Sequence, residues 1–431
     1  MKRFRHILAV AALALLLASC TAARVFRPVP AASQPADIYA PVYDSIAYPW
    51  QLVAVRMSSL GAQAPTTGNS VEVFTGGRSC YAAMLADLEE AEQSIDLEIY
   101  RFHDDSIATA VRDVLLRKAA EGVDVHIILE TRASNGKKAF YSALRAAPGI
   151  TVLDVQPKGD VAGSIANMNT WDHRKICVID GRVGYAGGMN IQDHYYKEWR
   201  DTHMRLTGSV VADLLREFDA TWTMLDGKAP ERRVVDRLSA EAASNPGAHT
   251  GVIAQVATDA SYTVANPILV GYIQALAGAK DYFYLQTPYF CPPEQFLVAL
   301  EEAAARRVDV RLMLPAVSDV RIMDWANGSF FKRLLASGVR IYLRGGEFIH
   351  SKTAVSDDYF SSIGSANLDN RSLLLNFEDN VYFYDEAVAR RNKEIFLQDQ
   401  QICSELILEN LHPGAGTALM QSFTRIIAPL L

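Results

Sequence analysis

The chain has 431 residues, half of them hydrophobic and 21% charged, which fits a well-packed globular protein large enough for two domains. Asp and Glu outnumber Lys and Arg by 49 to 42, and the formal charge of −7 argues against a broad basic surface for gripping nucleic acid. A local basic cleft still fits inside that acidic total.

In chain order, the first feature is a leader. "MKRFRH" supplies Lys2, Arg3 and Arg5, and the apolar run "ILAVAALALLLA" that follows is too short to span a bilayer comfortably. "LASC" then ends at Cys20 and resembles a bacterial lipobox, with cleavage before a cysteine that becomes lipidated. Residues 1–19 are expected to be a signal peptide. Their removal strips basic residues only, so the mature chain is more acidic still. An acidic protein at an anionic membrane needs an anchor that does not depend on charge, and acyl chains on Cys20 supply one. The expected location is a bacterial membrane lipoprotein on the periplasmic side. Thr21 leaves the common Asp retention cue absent, and inner or outer membrane stays open. No later segment reads as a transmembrane helix. Cys80, Cys177, Cys291 and Cys403 permit a disulfide without demanding one.

Residues 20–70, with "RPVPAASQPADIYAPVY", read as a tether and a short ordered lead-in. Two portions of similar length follow, 71–225 and 251–431, separated by a polar, Ala/Pro/Gly-rich linker over 226–250. The portions repeat each other. The first predicts a strand at "SIDLEIYRF", a helix at "DSIATAVRDVLLRKAAEG", a strand at "VDVHIILE" and a helix at "KAFYSALRAA". The second predicts the same order at "DYFYLQTPYF", "PEQFLVALEEAAARR", "VDVRLMLP" and "FFKRLLASG". Each then adds a strand and a motif. The alternation predicts a duplicated α/β architecture with one site where the halves meet.

The motif is "HRKICVIDGRVGYAGGMN" in the first half and "HSKTAVSDDYFSSIGSAN" in the second. His173, Lys175 and Asp180 stand at the same offsets as His350, Lys352 and Asp357, and Asn190 and Asn367 close the two copies. Residues i and i+2 of a strand share a face, so each His and Lys are expected to project together. The Gly and Ser residues before each Asn are expected to let backbone amides and the Asn side chain approach an anion. A carboxylate stands 28 residues after each His, Asp201 and Glu378, able to orient the imidazole. Packing alone does not require a buried His and Lys paired twice. Two His, two Lys and two Asn in one cleft describe a phosphodiester site. One His attacks phosphorus, the other moves the proton, and the cations and amides hold the non-bridging oxygens. No compact metal-ligand cluster is present in the sequence, and no cofactor or metal is expected.

The paired motifs resemble those of the phospholipase D superfamily, H-x-K-x4-D-x6-G-[GS]-x-N, and both copies are complete. "WRDTHMRLTG", "QTPYFCP", "IGSANLDNRSLLLNFE" and "RIIAPLL" are similar to bacterial cardiolipin synthases of the phospholipase D type. The likeness runs from about Val71 to the end. It implies duplicated phospholipase D-like α/β domains with mixed sheets flanked by helices and one active site between the halves. It implies His173 as nucleophile and His350 as acid/base, although the two copies are too symmetric for the residues themselves to decide that order. Lys175, Lys352, Asn190 and Asn367 would bind phosphate, and Asp201 and Glu378 would orient the histidines. Asp180 and Asp357 count with the catalytic set by motif position, with a turn-stabilising role expected for both. "ILETRAS" departs from the family, with Glu130 and Arg132 where Asp and Gly are more usual, and "NMNTWD" lacks the usual Arg-Asn lead-in.

The resemblance implies a phosphatidyltransferase that joins two phosphatidylglycerols into cardiolipin and glycerol through a phosphatidyl-histidine. The expected partners are membrane phospholipids, phosphatidylglycerol first and phosphatidylethanolamine second. A phospholipase D hydrolase releasing phosphatidic acid uses the same residues. A nuclease of the superfamily would show a basic, aromatic-interleaved groove, and no such run is present. A non-catalytic scaffold would show a broken motif, and neither is broken. Trp171, Tyr195, Tyr196, Trp199, Tyr289, Phe290 and Phe348 are candidates to line the lipid site, with core packing the simpler role for any one of them. His194 and His203 are expected to be structural.

Overall fold

In the computed structural model, the described residues are 49–134, 136–155, 170–226, 228, 251–259 and 266–431. The expected signal peptide, Cys20 and most of the 226–250 linker lie outside them. Among these residues the chain lays down one series of elements twice. The first half has β1 (Thr66–Phe74), α2 (Gly77–Glu89), β2 (Ser94–Ile99), α3 (Ser106–Ala120), β3 (Asp124–Leu129), α4 (Lys138–Ala146), β4 (Ile150–Asp154), β5 (Lys175–Ile179), β6 (Val183–Gly187), α5 (Asp193–Lys197), β7 (His203–Thr207) and α6 (Val210–Asp226). They are preceded by α1 (Pro49–Ser59).

The second half answers with β8 (Val252–Asp259), α7 (Pro267–Gly278), β9 (Tyr282–Gln286), α8 (Glu294–Ala305), β11 (Asp309–Pro315), α9 (Arg321–Ala336), β12 (Arg340–Arg344), β13 (Thr353–Ser356), β14 (Phe360–Gly364), α10 (Asn370–Leu374), β16 (Glu378–Phe383) and α11 (Glu386–Gln400). A small parallel pair, β10 (Phe290–Cys291) with β15 (Leu368–Asp369), an edge strand β17 (Cys403–Glu405) and a last helix α12 (Ala415–Ile427) complete it.

Local chemistry explains these elements. α3 starts on Asp105, whose carboxylate accepts the Ala108 N–H at 3.2 Å, and it ends on Arg117 and Lys118 against the negative end of its dipole. Its Ile107, Val111, Val114 and Leu115 form one buried stripe. β2 and β9 are buried along almost their whole length, as strands covered on both faces must be.

The strands form one fifteen-stranded sheet in the order β17-β12-β11-β9-β13-β14-β16-β8-β1-β7-β6-β5-β2-β3-β4. Read outward from its centre, each half has the same order. β2, β3 and β4 run parallel, as do β9, β11 and β12, while β5 and β13 turn antiparallel to them. The sheet is therefore mixed within each half. The seam is the antiparallel pair β1–β8, with an irregular register between Thr66 and Asn69. Buried Asn69 holds it. Its amide donates to the carbonyls of Thr66 and Val252 at 3.0 Å each, and its Oδ1 accepts the Val210 N–H at 2.8 Å. One core cluster crosses the seam, with Ile176, Val178 and Ala186 of the first half and Ile363, Val381 and Phe383 of the second under α6. The four described cysteines are free thiols.

Candidate active site

Each motif histidine stands just before its strand, His173 before β5 and His350 before β13. What fixes them is the other half. The His173 N–H donates to the Phe377 carbonyl at 2.9 Å, and the Phe377 N–H returns to the Trp171 carbonyl at 2.9 Å. The His350 N–H donates to the Arg200 carbonyl at 2.8 Å, and the Arg200 N–H donates to the Phe348 carbonyl at 2.9 Å. These two short bridges cross the halves in matching places. They set each imidazole beside the carboxylate of the opposite copy.

His173 Nδ1 lies 3.0 and 2.9 Å from the two Glu378 oxygens, and His350 Nδ1 lies 2.7 Å from Asp201 Oδ2. Offsets along one chain suggested a carboxylate for each copy, and the tertiary structure exchanges them. With Nδ1 donating to a carboxylate, Nε2 is the ring nitrogen of each histidine left for chemistry.

The exchange is geometrically symmetric and electrostatically unequal. Burial would raise Glu378, but His173 and Lys175, together with hydrogen bonds from His173 and Ser365, hold it at about 2. The Ser365 hydroxyl donates to Glu378 Oε2 at 2.5 Å and the Asn376 amide to Oε1 at 3.3 Å. Asp201 has fewer donors. Burial pushes it up to about 6 against the pull of Lys352. Burial, partly offset by Glu378, pushes His173 down to about 4, and burial with the Lys352 ammonium pushes His350 well below the usual histidine range.

The glycines of the motifs leave room for the segments packed against them. A Cβ on Gly188 would sit 2.2 Å from Asp201 Oδ1, and one on Gly364 would sit 2.1 Å from Asn380 Oδ1. Gly187, at φ +140°, would meet the backbone of Thr202 and His203. The expected role in approaching an anion gives way to a packing role, because β7 and β16 press directly on this loop.

The two lysines lie beneath their histidines. Lys175 and Lys352 are almost completely buried, and each ammonium donates to the carbonyl of its own motif His. Lys352 Nζ also lies 2.8 and 3.1 Å from the His350 ring nitrogens. Burial pushes Lys175 down to about 7 and Lys352 down to about 8. The phosphate-binding role expected of the lysines requires both as ammoniums. We expect kcat/KM, which reports the free enzyme, to fall as pH rises from about 7 to 8, through a rise in KM. A flat profile to about pH 9.5, read as initial rates across about three pH units, would remove the lysines from that role.

Asp180 and Asp357 are not at the site, which corrects their place in the catalytic set. Asp180 Oδ1 accepts the N–H groups of Gln93 at 2.7 Å and Ser94 at 3.0 Å, and its Oδ2 accepts that of Glu92 at 3.0 Å. Asp357 does the same for Lys280, Asp281 and Tyr282 at 2.7–2.9 Å. Each therefore holds the start of β2 or β9 from a left-handed turn position, at φ 52° and 50°, which Asp tolerates. Asp180→Ala should cost about 1–3 kcal/mol of stability by stripping the acceptor from three part-buried N–H groups. Thermal unfolding with activity per folded molecule checks this, and lost turnover at unchanged stability would return Asp180 to the chemistry.

The two Asn positions also part. The Asn190 carbonyl accepts the Arg101 N–H at 3.0 Å, and its amide donates to the Tyr195 hydroxyl at 2.9 Å, so it shapes the wall from behind. Asn367 lines the cavity, and its Oδ1 has no protein partner. His194 pairs with Glu198 on the surface, and buried His203 accepts the Met189 N–H at 3.3 Å, both structural as expected.

A cavity of about 340 Å³ opens over the histidine pair, and His173, His350 and Asn367 reach it. Of the aromatic candidates, Trp171, Tyr195, Trp199 and Tyr289 line it, Phe348 packs against Trp199 at 4.9 Å, and Phe290 is core. Tyr196 is outside the lining and packs edge-on to Tyr81. Glu130 and Arg132 clamp the lead-in to His173. They pair at 2.7 Å, Arg132 donates to the Thr170 carbonyl at 2.7 Å, and its guanidinium stacks 4.4 Å over Trp171.

Sequence reading missed Tyr100, Arg101 and Arg371, which all line the cavity. The available signal was position: Tyr100 and Arg101 follow the carboxyl end of a parallel strand, where α/β sheets place their ligands, and Arg371 follows Asn367 by four.

Comparison with known proteins agrees with this geometry. The family described as "Cardiolipin synthase, PLD-like domain" matches residues 84–222 and 272–400. A cardiolipin synthase of Clostridium perfringens is 32% identical over 374 residues, covering 85% of this chain and 78% of that protein. The major cardiolipin synthase ClsA of Bacillus subtilis is 32% identical, with 85% and 76% covered. Among solved structures, the phosphatidylserine synthase of Haemophilus influenzae superposes with TM-score 0.66 over 88% of this chain and 99% of that one, at 15% identity, a likeness of fold alone. By its two matched domain segments and these relatives, the chain belongs to the cardiolipin synthase family of phospholipase D-like proteins.

Proposed function

We propose that the protein is a cardiolipin-forming phosphatidyltransferase working through a phosphatidyl-histidine. The observation that carries this is the pair of imidazoles, each held at Nδ1 by the opposite half's carboxylate, facing one aromatic-walled cavity. His173 Nε2 attacks the phosphorus of phosphatidylglycerol, and His350, entering as the imidazolium paired with Asp201, gives its Nε2 proton to the departing glycerol oxygen and is left neutral. The hydroxyl of a second phosphatidylglycerol then attacks, gives its proton to His350 and releases cardiolipin with His173 restored. Lys175, Lys352 and Asn367 take the charge on the non-bridging oxygens.

The inequality of the carboxylates supports this order. An imidazole that carries a phosphoryl group gains positive charge, and the firmly ionised Glu378 stands beside His173. A proton carrier needs a unit that can hold a proton near neutrality, and the Asp201–His350 pair has a carboxyl raised to about 6. The aromatic walls keep water from the intermediate, favouring an alcohol acceptor over hydrolysis.

A lipid partner also suits α12. Its Thr424 is buried and its Arg425 donates to the Ser329 carbonyl of α9, while Leu419, Phe423 and Ile426 point to solvent. The chain beyond it reaches the cavity at Leu431. No helix among the described residues is long and apolar enough to cross a membrane. A bilayer surface is the apolar phase that would cover this stripe next to the site. Lipidation at Cys20 and a periplasmic membrane location are part of the same proposal, carried by the leader sequence.

The test is the full protein in detergent micelles with phosphatidylglycerol as sole lipid and products read by mass. Cardiolipin plus glycerol is expected. Phosphatidic acid plus glycerol without cardiolipin would replace the transferase with the hydrolase.

A further inference from the structure

Transfer between two phosphatidylglycerols puts two phosphodiesters in one cavity, and the motif residues account for one of them. Lys175 and Lys352 donate to the carbonyls of the motif histidines, and the proposed mechanism assigns them to the phosphoryl group in transit. The cavity wall itself carries two further cations, Arg101 and Arg371. Both act on Tyr100, whose ring packs edge-on against His173 at 4.7 Å. Lys175 Nζ lies 5.1 Å from the centre of that ring and the Arg101 guanidinium carbon 5.4 Å from it, so both charges lie over one aromatic ring. Arg101 Nε is shielded from solvent and has no hydrogen-bond partner in the protein.

The acidic groups on the same wall also hold neighbouring groups. Asp369 accepts the Ser372 N–H at 2.7 Å at the start of α10, and Asp319 accepts the Tyr289 hydroxyl at 2.7 Å. Among the described lining residues, Arg101 and Arg371 are the permanently charged cations.

We infer that Arg101 and Arg371 form a second phosphate subsite, which holds the phosphodiester of the acceptor lipid while its free hydroxyl reaches the phosphatidyl-His173. This rests on the transferase proposed above. In cardiolipin a single glycerol separates the two phosphates. The second phosphate must therefore bind next to the first, and Arg101 stands over the same ring as Lys175, with Arg371 lining the same cavity. Guanidiniums suit the task because they fork onto phosphate oxygens and stay charged when half-buried. Water or free glycerol as acceptor brings no second phosphate and has no use for the subsite.

Two reactions of the full protein separate the roles. Exchange of isotopically labelled glycerol into phosphatidylglycerol requires only the donor phosphate and the histidines. Cardiolipin formation requires both phosphates. Arg371→Gln and Arg101→Gln should each cut cardiolipin formation about 10- to 100-fold, through the acceptor's KM, while glycerol exchange stays within about threefold. Arg→Lys at either position should recover part of the loss.

Preserved exchange also shows that the variants fold. Exchange and cardiolipin formation falling together would overturn the subsite, since the arginines would then serve the donor or the fold. Unchanged cardiolipin formation would overturn it as well, with the transferase intact. A wild-type protein that exchanges or hydrolyses but forms no cardiolipin would overturn the transferase, and the subsite with it.

Discussion

His173→Ala should abolish phosphatidyl transfer, by about 10⁴-fold or more, while His350→Ala should stall it after one step. The two are distinguishable with a donor whose leaving group needs no proton, phosphatidyl-p-nitrophenol. His350→Ala should release one burst of nitrophenol per active site and accumulate a phosphatidyl adduct visible by intact mass. Turnover beyond the burst should be about 10²- to 10⁴-fold slower than in the wild type, because no base deprotonates the acceptor. His173→Ala should show neither burst nor adduct. The physical basis is the unequal pair of carboxylates, Glu378 held at about 2 and Asp201 raised to about 6. A burst and adduct in His173→Ala instead would reverse the assignment of the two histidines.

Glu378→Gln and Asp201→Asn should fail in different steps, and crosswise to the chain. Glu378 bonds His173 although it lies in the second half, and Asp201 bonds His350 although it lies in the first. With the same donor, Glu378→Gln should suppress the burst, since the amide no longer stabilises charge on the His173 ring or selects its tautomer. Asp201→Asn should keep the burst and lose turnover. Each loss should be about 10²- to 10⁴-fold, the scale seen when a carboxylate that orients a catalytic imidazole becomes an amide. The opposite pattern would mean that each carboxylate serves the histidine of its own copy.

Much of this site was legible in the sequence, and the reason is repetition. A single His-x-Lys carries little weight, but the same His, Lys, Gly and Asn offsets in two copies, with Asp201 and Glu378 at equal distance, leave little room for coincidence. The strand–helix order was legible too, since β2, α3 and β3 have apolar strand and helical patterns and the second half repeats them. Offsets along the chain could not show partners across it. The carboxylates are exchanged because the bridges Asp172–Phe377 and Arg200–Ile349 pair each lead-in with the opposite half. Likewise Asp180 and Asp357 keep motif spacing for a reason remote from phosphate. A strand and its return turn have a set length, and the Asp at that turn caps the neighbouring strand.

From the amino-acid sequence alone came the duplication, the α/β class, the histidines and lysines, and the phosphodiester chemistry. Those depend on residue type and local spacing. The tertiary structure alone decided which carboxylate serves which histidine, why Gly188 and Ser365 differ, and that Asn190 supports the wall while Asn367 lines the cavity. It also placed Arg101 and Arg371 on that wall. Such properties arise from burial and from contacts between residues as far apart as 205 positions, as His173 and Glu378 are, and no local pattern encodes them.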